Sequence, residues 1–255
     1  MEPTHRVHIV AQEKGGVGKS LISSIIAQHY QRKQLPFQCY DTDPGNATLL
    51  GYQALHVRHV DLLVPTGQNR INGTNNLELN LRNFDTMIEE IAGLNCDVII
   101  DNGASCFYPL LEYMHKSETM QTLADLHKSV SVHCIIVGSQ AQDDTLRGFD
   151  WLARNLGPIP HLVIWLNKFF GPILHEQQQF EDFQVYHDHK HRVTAIVELE
   201  KQDKDLFGED FRQMLQAKLT FTEALQSPRF GIASKQRITQ MARHIFSQVE
   251  WLTAS

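Results

Sequence analysis

Residues 14–20, Lys-Gly-Gly-Val-Gly-Lys-Ser, have the types and spacing for one piece of chemistry, the capture of phosphate groups. Gly15, Gly16 and Gly18 permit backbone conformations closed to other residues, and they let anionic oxygens come close to main-chain N–H groups. With a strand before the loop and a helix after it, those N–H groups point inward and the helix N-terminus adds positive potential. Val17 and Leu21 carry the backbone through this cradle, Lys19 supplies a fixed cation for the outer phosphates, and the Ser20 hydroxyl suits Mg²⁺. Two carboxylate sources accompany the loop. One is Asp41-Thr42-Asp43-Pro44-Gly45, which by itself could be an ordinary turn. The other is Asp101, at the end of the apolar run Asp97–Asp101, where a charge is costly unless it has a partner such as a metal.

These side chains can act together only if the chain brings them to one edge of a sheet. The hydrophobic pattern alternates short apolar runs with longer helical stretches, the signature of βαβ units around a parallel sheet. Strands are expected over residues 7–11, 36–41, 77–81, 97–101, 132–137, 161–166 and 193–199. Helices are expected over 19–33, 84–94, 109–128 and 143–155, and from 205 to the end with a break near Ser227-Pro228. Residues 44–76 read mostly as loop, being dense in Gly, Asn, Pro and Thr. The required strand and helix thus flank the glycine loop. No repeat or linker divides the chain, so the expectation is one α/β domain over residues 1–255: a predominantly parallel sheet flanked by helices.

Lys14 is the sharper detail, because a phosphate loop does not need a second lysine at its start. The Lys-Gly-Gly-x-Gly-Lys-Ser form resembles the deviant Walker A loop of P-loop ATPases of the ParA/MinD family. That resemblance implies a slow ATP hydrolase binding ATP with Mg²⁺, and an ATP-dependent homodimer in which Lys14 reaches the partner's nucleotide. It continues through the Asp-x-Asp-Pro stretch, where Asp43 takes the role of positioning the attacking water and Asp41 lies nearer the magnesium. Asp101 stands at the Walker B position, so the implied magnesium set is Ser20, Asp43 and Asp101. Asn102-Gly103-Ala104-Ser105 occupy the place of the γ-phosphate switch. Asn167 lines up with an asparagine that reads the adenine edge, a task suited to an amide that gives and takes hydrogen bonds. The implied catalytic set is Lys14, Lys19 and Asp43.

The Asp101–Ser105 stretch (in place of Asp-x-Pro-Pro), the run from Val163 to Pro172 and the run from Thr220 to Leu225 resemble the TraL/StbB type, ParA-like proteins of conjugative plasmids and integrative elements. This implies a role in plasmid transfer, stability or positioning, with a plasmid-encoded protein partner. Three other readings stay open. A biosynthetic ligase or synthetase can use the same scaffold, although Lys14 stands against it. A non-hydrolysing nucleotide-binding scaffold is opposed by Asp43 and Lys19. A partition ATPase would bind DNA without sequence preference. For that, residues 211–249 offer Arg212, Lys218, Arg229, Lys235, Arg237 and Arg243 against the single acid Glu223. The same residues could instead form a solvated helical face.

The net charge of −6 argues against a surface coated by nucleic acid. No apolar run approaches bilayer length, and the acidic first residues make no secretory signal, so a cytoplasmic protein without an integral membrane segment is expected. The stripe Ile238, Met241, Ala242, Ile245, Val249 and Leu252 could lie on a membrane, but it is better read as packing against the domain. His187, His189 and His191 would share a face on a strand and could then bind a metal. An exposed approach to the following strand is the plainer reading. Cys39, Cys96, Cys106 and Cys134 contain no CxxC pair and read as reduced thiols in or beside strands.

Overall fold

The inner strands are apolar on both faces, the condition under which a parallel sheet is stable only between two layers of helix. The computed structural model describes residues 5–65, 77–174, 177–200 and 207–253. The strands are β1 (His5–Ala11), β2 (Phe37–Asp41), β3 (Arg58–His59), β4 (Leu63–Pro65), β5 (Leu77–Leu79), β6 (Asp97–Asp101), β7 (Lys128–Val137), β8 (His161–Asn167) and β9 (Val193–Leu199). The helices are α1 (Lys19–Lys33), α2 (Leu81–Gly93), α3 (Phe107–Lys116), α4 (Thr119–Asp125), α5 (Gln142–Asn155), α6 (Gln184–His189), α7 (Phe207–Gln216), α8 (Phe221–Gln226) and α9 (Ile232–Gln248).

Seven strands form one sheet in the order β3-β2-β6-β1-β7-β8-β9, every pair parallel, while β4 and β5 make a separate antiparallel pair. Side chains of successive strand residues point to opposite faces. Val7 and Ile9 of β1 join one core with α2 to α6, and Val10 joins the other with α1 and α7 to α9. The expected α/β domain with a parallel sheet flanked by helices is what the chain forms. The stripe on α9 and the turn after it is buried throughout: Ile238, Met241, Ala242, Ile245, Val249 and Leu252 all belong to the second core. Among the described residues no helix is long and apolar enough to cross a membrane.

Several boundaries differ from expectation. The helix expected over 109–128 is two helices, α3 and α4, because the chain turns at Ser117-Glu118 with Glu118 at φ 53°. Strand β7 starts at Lys128 rather than 132. Its polar first residues pair with the start of β1, and the Lys128 ammonium donates to the Leu94 carbonyl at 2.7 Å. In β5 the strand stops at Leu79, since Asn80 caps α2 by accepting the Asn83 N–H at 3.2 Å. The C-terminal helical region breaks a second time before Thr220, which caps α8 through a reciprocal pair with Glu223. His187 and His189 lie in α6, and His191 in the following turn, so their alternation puts them on no common face. His189 instead meets Asp150 at 2.7 Å. Among the described residues no group of three His, Cys, Asp or Glu is placed to hold a metal. All four cysteines are free thiols, three of them buried and Cys96 partly exposed.

One polar row crosses the second core. Trp165 Nε1–H donates to His133 Nδ1 at 2.9 Å, His133 Nε2 meets His8 Nδ1 at 3.0 Å, and His8 Nε2 meets the Tyr30 hydroxyl at 2.8 Å. Tyr30 in turn donates to the Leu252 carbonyl at 3.3 Å. Indole N–H can only donate, so both tautomers follow: each imidazole is neutral, accepting at Nδ1 and donating at Nε2. Burial pulls His133 down to about 3, and burial with the neighbouring His133 pulls His8 well below the usual histidine range. Both therefore stay neutral in the fold while the unfolded chain takes up protons near pH 6.5. Each subtracts up to about 1.4 kcal/mol of stability per pH unit below that value. Denaturant titrations should thus lose up to about 4 kcal/mol between pH 6.5 and pH 5 from this pair. A double variant, His8→Val with His133→Val, should show a shallower profile. Equal slopes in the two proteins would refute the neutral row.

Candidate functional site

The phosphate loop leaves the carboxyl end of β1 through Gln12, which is fully buried. Its Nε2 donates to the carbonyls of Ile135 and Thr145 at 2.8 and 3.1 Å, and its Oε1 accepts the Glu13 N–H at 2.9 Å. This clamp ties the loop's first residues to β7 and α5. It fits because residue 148 of α5 is glycine, and a Cβ there would overlap Gln12 Oε1. The chain then turns through Gly16 at φ 77° and Gly18 at φ 103°, conformations that disfavour any side chain. Gly18 precedes α1 as its N-cap, and a Cβ on it would approach Asn167 Nδ2 to 2.8 Å.

Asn167 braces the loop from the end of β8. Its Nδ2 donates to the Val17 carbonyl at 2.9 Å, and its Oδ1 accepts the Phe169 N–H at 3.2 Å. Lys19 is 8% exposed, and its ammonium donates to the Lys14 carbonyl at 3.1 Å. Burial lowers its pKa, while Asp101 and Asp43 oppose the shift. A cavity of about 390 Å³ opens above the loop, lined by Gly15, Gly16, Gly18, Lys19, Ser20 and Leu21 from the loop side and by Asp43 across it.

Two carboxylates end neighbouring strands and a third follows on the loop after β2, and their surroundings separate their roles. Asp101, at the end of β6, is pushed up to about 7, chiefly by burial and against hydrogen bonds from Ser20 and Ser23. The Ser23 hydroxyl donates to its Oδ1 at 3.0 Å. Asp41, at the end of β2, is engaged by main chain: Oδ1 accepts the Asp43 N–H at 3.0 Å, and Oδ2 accepts Leu49 and Leu50 N–H at 2.9 and 3.2 Å. It folds the loop that carries Asp43. Asp43 spends Oδ1 on the N–H groups of Gly45 and Asn46, both at 3.0 Å. Gly103 lies directly under it, for a Cβ there would come within 2.8 Å of Asp43 Cα. The Asp43 loop and the 101–103 segment therefore rest backbone on backbone. Beside them the buried Asn102 Nδ2 has no hydrogen-bond partner among the described residues, although Oδ1 accepts from Thr42 at 3.2 Å.

Lys14 stands apart from this group. It is about half exposed and forms an ion pair at 2.7 Å with Asp144 at the start of α5, which also pairs with Arg147. The side-chain hydrogen bond from Lys14 holds the Asp144 carboxyl below the usual range.

Other residues of the cavity were not legible as site residues. Asn46, Thr48 and Tyr52 arrive from the segment after β2, and Leu215 and Lys218 from the end of α7. Asn46 and Thr48 belong to the stretch 41–48 that carries the family resemblance, whereas no motif marks Tyr52, Leu215 or Lys218, which only the fold brings to the loop. The basic C-terminal segment loses much of its free charge. Arg212 pairs with Glu209 at 2.7 Å and Arg237 with Asp210 at 2.6 Å, acids just outside the stretch counted from sequence. Lys218 turns to the cavity. Arg229, Lys235 and Arg243 remain without an ion pair among the described residues.

The residues fit a nucleotide with its metal. The glycine cradle admits no Cβ at Gly18, Lys19 is buried without a close carboxylate, and Ser20, Asp43 and Asp101 are hard oxygen donors of the kind Mg²⁺ takes alongside water and phosphate. Fold and site together define a P-loop nucleotide-binding protein of the parallel α/β class. The chain matches the CobQ/CobB/MinD/ParA nucleotide binding domain over residues 8–250 and belongs to that family, one of ATP-binding proteins and ATP hydrolases. It is closely related to two Escherichia coli proteins named TraL. They are 39% and 40% identical to it over 245 residues, in each case 96% of this chain and 97% of the relative. In fold it is similar to the MinD cell division protein of Aquifex aeolicus, at a TM-score of 0.50 and 14% identity over 95% of this chain and 97% of that one.

Proposed function

We propose that this protein is an ATP-dependent dimerisation switch acting in conjugative plasmid transfer, stability or positioning, in the cytoplasm and with a plasmid-encoded protein partner. Lys14 carries the reading. It is a second lysine at the start of the phosphate loop, its ammonium committed to nothing more than a part-exposed ion pair with Asp144, and so available to another subunit's nucleotide. The relation to TraL proteins supports the plasmid context. A ligase or synthetase acting on a small molecule would have no use for such a reserve cation.

In this reading Lys19 and the loop N–H groups hold the β- and γ-phosphates, and Ser20 and Asp101 would hold Mg²⁺, with Asp43 reaching it through water. The bound metal neutralises charge that develops on the transferred phosphoryl group. Asp43 keeps one oxygen on its own loop and uses the other to orient water and receive its proton. Asn167 would read the adenine edge with the hydrogen-bonding capacity left after bracing Val17 and accepting the Phe169 N–H. Asn102, whose buried Nδ2 has no hydrogen-bond partner among the described residues, would take the γ-phosphate contact that settles the loop over Asp43. Non-specific DNA is the weaker partner, because pairing to Glu209 and Asp210 dilutes the basic segment.

The Asp43→Ala variant tests the chemical assignment. It should bind Mg-ATP within about threefold of wild type while hydrolysing it about a hundredfold more slowly, an effect in the usual range for a lost general base. Calorimetry and phosphate release measure the two quantities. If affinity collapses together with the rate, Asp43 only shapes its loop.

A further inference from the structure

The far wall of the phosphate cavity carries a cation that no motif announces. Lys218 sits just past α7 at φ 52°, a backbone region rare for residues with a side chain. Its N–H donates to the Leu215 carbonyl at 3.1 Å, and the next N–H, of Leu219, donates to Met214 at 3.1 Å, so the turn is closed by main chain. The stem is directed as well. A Cβ on Gly51 would meet Lys218 Cγ at 3.0 Å and Cδ at 3.4 Å, which means the methylenes lie against bare backbone. The ammonium rests 5.7 Å from the centre of the Tyr52 ring, within cation–π range. Lysine stems normally carry their charge out to water. This one is led inward, to a cavity it shares with Lys19 and Ser20.

Among the described residues Lys218 has no ion pair. Burial lowers its pKa, and the charge of Asp101 works against that. A partly desolvated ammonium without a counter-ion is unfavourable unless an anion completes the site. Lys14 pairs with Asp144 and Lys168 with Glu198 and Glu200, whereas Lys19 and Lys218 both face this cavity without a bonded carboxylate.

We infer that Lys218 is a second fixed cation of the nucleotide site, held by Gly51 and Tyr52 so that its ammonium binds anionic oxygens of the nucleotide from the wall opposite the phosphate loop. The inference rests on the nucleotide reading of the cavity. Mg-ATP keeps negative charge after one lysine has paired with it, and a cation on the opposite wall closes the anion from both sides. The role is one of binding and positioning, so it should appear in affinity and KM before kcat.

Calorimetric titration of the full chain with Mg-ATP and Mg-ADP tests this with Lys218→Met, which keeps the stem over Gly51 and Tyr52 and deletes the charge. Lys218→Arg and Lys19→Ala serve as references. The expected result is an affinity lower by about ten- to hundredfold in Lys218→Met, the range for a lost charged hydrogen bond. Lys218→Arg should recover most of it, and thermal unfolding without nucleotide should match wild type. Wild-type affinity in Lys218→Met, with binding lost in Lys19→Ala, would overturn the inference and leave the nucleotide reading standing. Wild-type affinity in Lys19→Ala would overturn the nucleotide reading itself. If Lys218→Met proves poorly folded, Gly51→Ala displaces the stem with the charge retained. It should weaken nucleotide binding, and unchanged affinity there would count equally against the inference.

Discussion

Lys19→Ala should bind Mg-ATP at least about thirtyfold more weakly than wild type and show no hydrolysis above background. A unit charge about 4 Å from another is worth about 4 kcal/mol at an effective dielectric of about 20, and half of that already gives this factor. The geometry makes Lys19 hard to replace. It is almost fully buried, its ammonium is positioned by the Lys14 carbonyl, and Asp101 and Asp43 are the carboxylates whose charge acts on it. Without it, a polyanion entering the cavity meets two carboxylates and loses the buried cation that offsets them. Calorimetry gives the affinity and phosphate release the rate. Retained binding together with retained turnover would show that the phosphates sit elsewhere.

The second large effect concerns assembly. In an Asp43→Ala background with Mg-ATP, where slow hydrolysis holds the triphosphate state, light scattering should find a dimer. Adding Lys14→Ala should return it to monomer without changing nucleotide affinity. Two triphosphates brought face to face repel, and a lysine from the opposite chain compensates where each Lys19 is already engaged. Lys14 must first leave Asp144, because one ammonium cannot hold both contacts. Asp144→Ala should therefore favour the dimer, by no more than about fivefold, since exposed ion pairs contribute little. A dimer that forms with ADP and tolerates Lys14→Ala would point to a constitutive enzyme. A monomer under all these conditions would remove the switch.

Much of this was readable before any coordinates. The bounds of α1, β6 and β9 follow from short apolar runs and from the glycine loop, because local pattern and tertiary placement agree there. Gly15, Gly16, Gly18, Lys19, Ser20 and Leu21 line one cavity with Asp43, while the Lys14 side chain pairs with Asp144. Patterns that failed did so for identifiable reasons. The first residues of β7 fall outside the expected strand because Ser129 and Ser131 interrupt its apolar run, and pairing with β1 carries the strand through them. Glu118 breaks a helix by taking a left-handed conformation that its residue type does not signal. Asp41 and Asp43 stand two residues apart in one motif, and the main-chain donors at Leu49 and Leu50 that hold Asp41 have no signal there. Gln12, Tyr52 and Lys218 reach the site through contacts between distant segments, for which single-sequence spacing holds no signal. The charge count over residues 211–249 leaves out Glu209 and Asp210, which lie just before its window and pair with Arg212 and Arg237.

The row from Trp165 to Leu252 has a consequence for how the chain can change. Each member receives a proton from the one before and passes its own to the next, so the row has a sense as well as a set of partners. A phenylalanine at 165 would leave His133 Nδ1 without a donor, and turning that imidazole to its other tautomer would only hand the defect to His8. A phenylalanine at 30 would strand His8 Nε2–H in the same way. Repair at one point is impossible without reversing every bond beyond it, and the row cannot be reversed because its first member only donates and its last only accepts. The side chains of Trp165, His133, His8 and Tyr30 thus form one unit of inheritance, to be kept whole or exchanged whole for apolar residues.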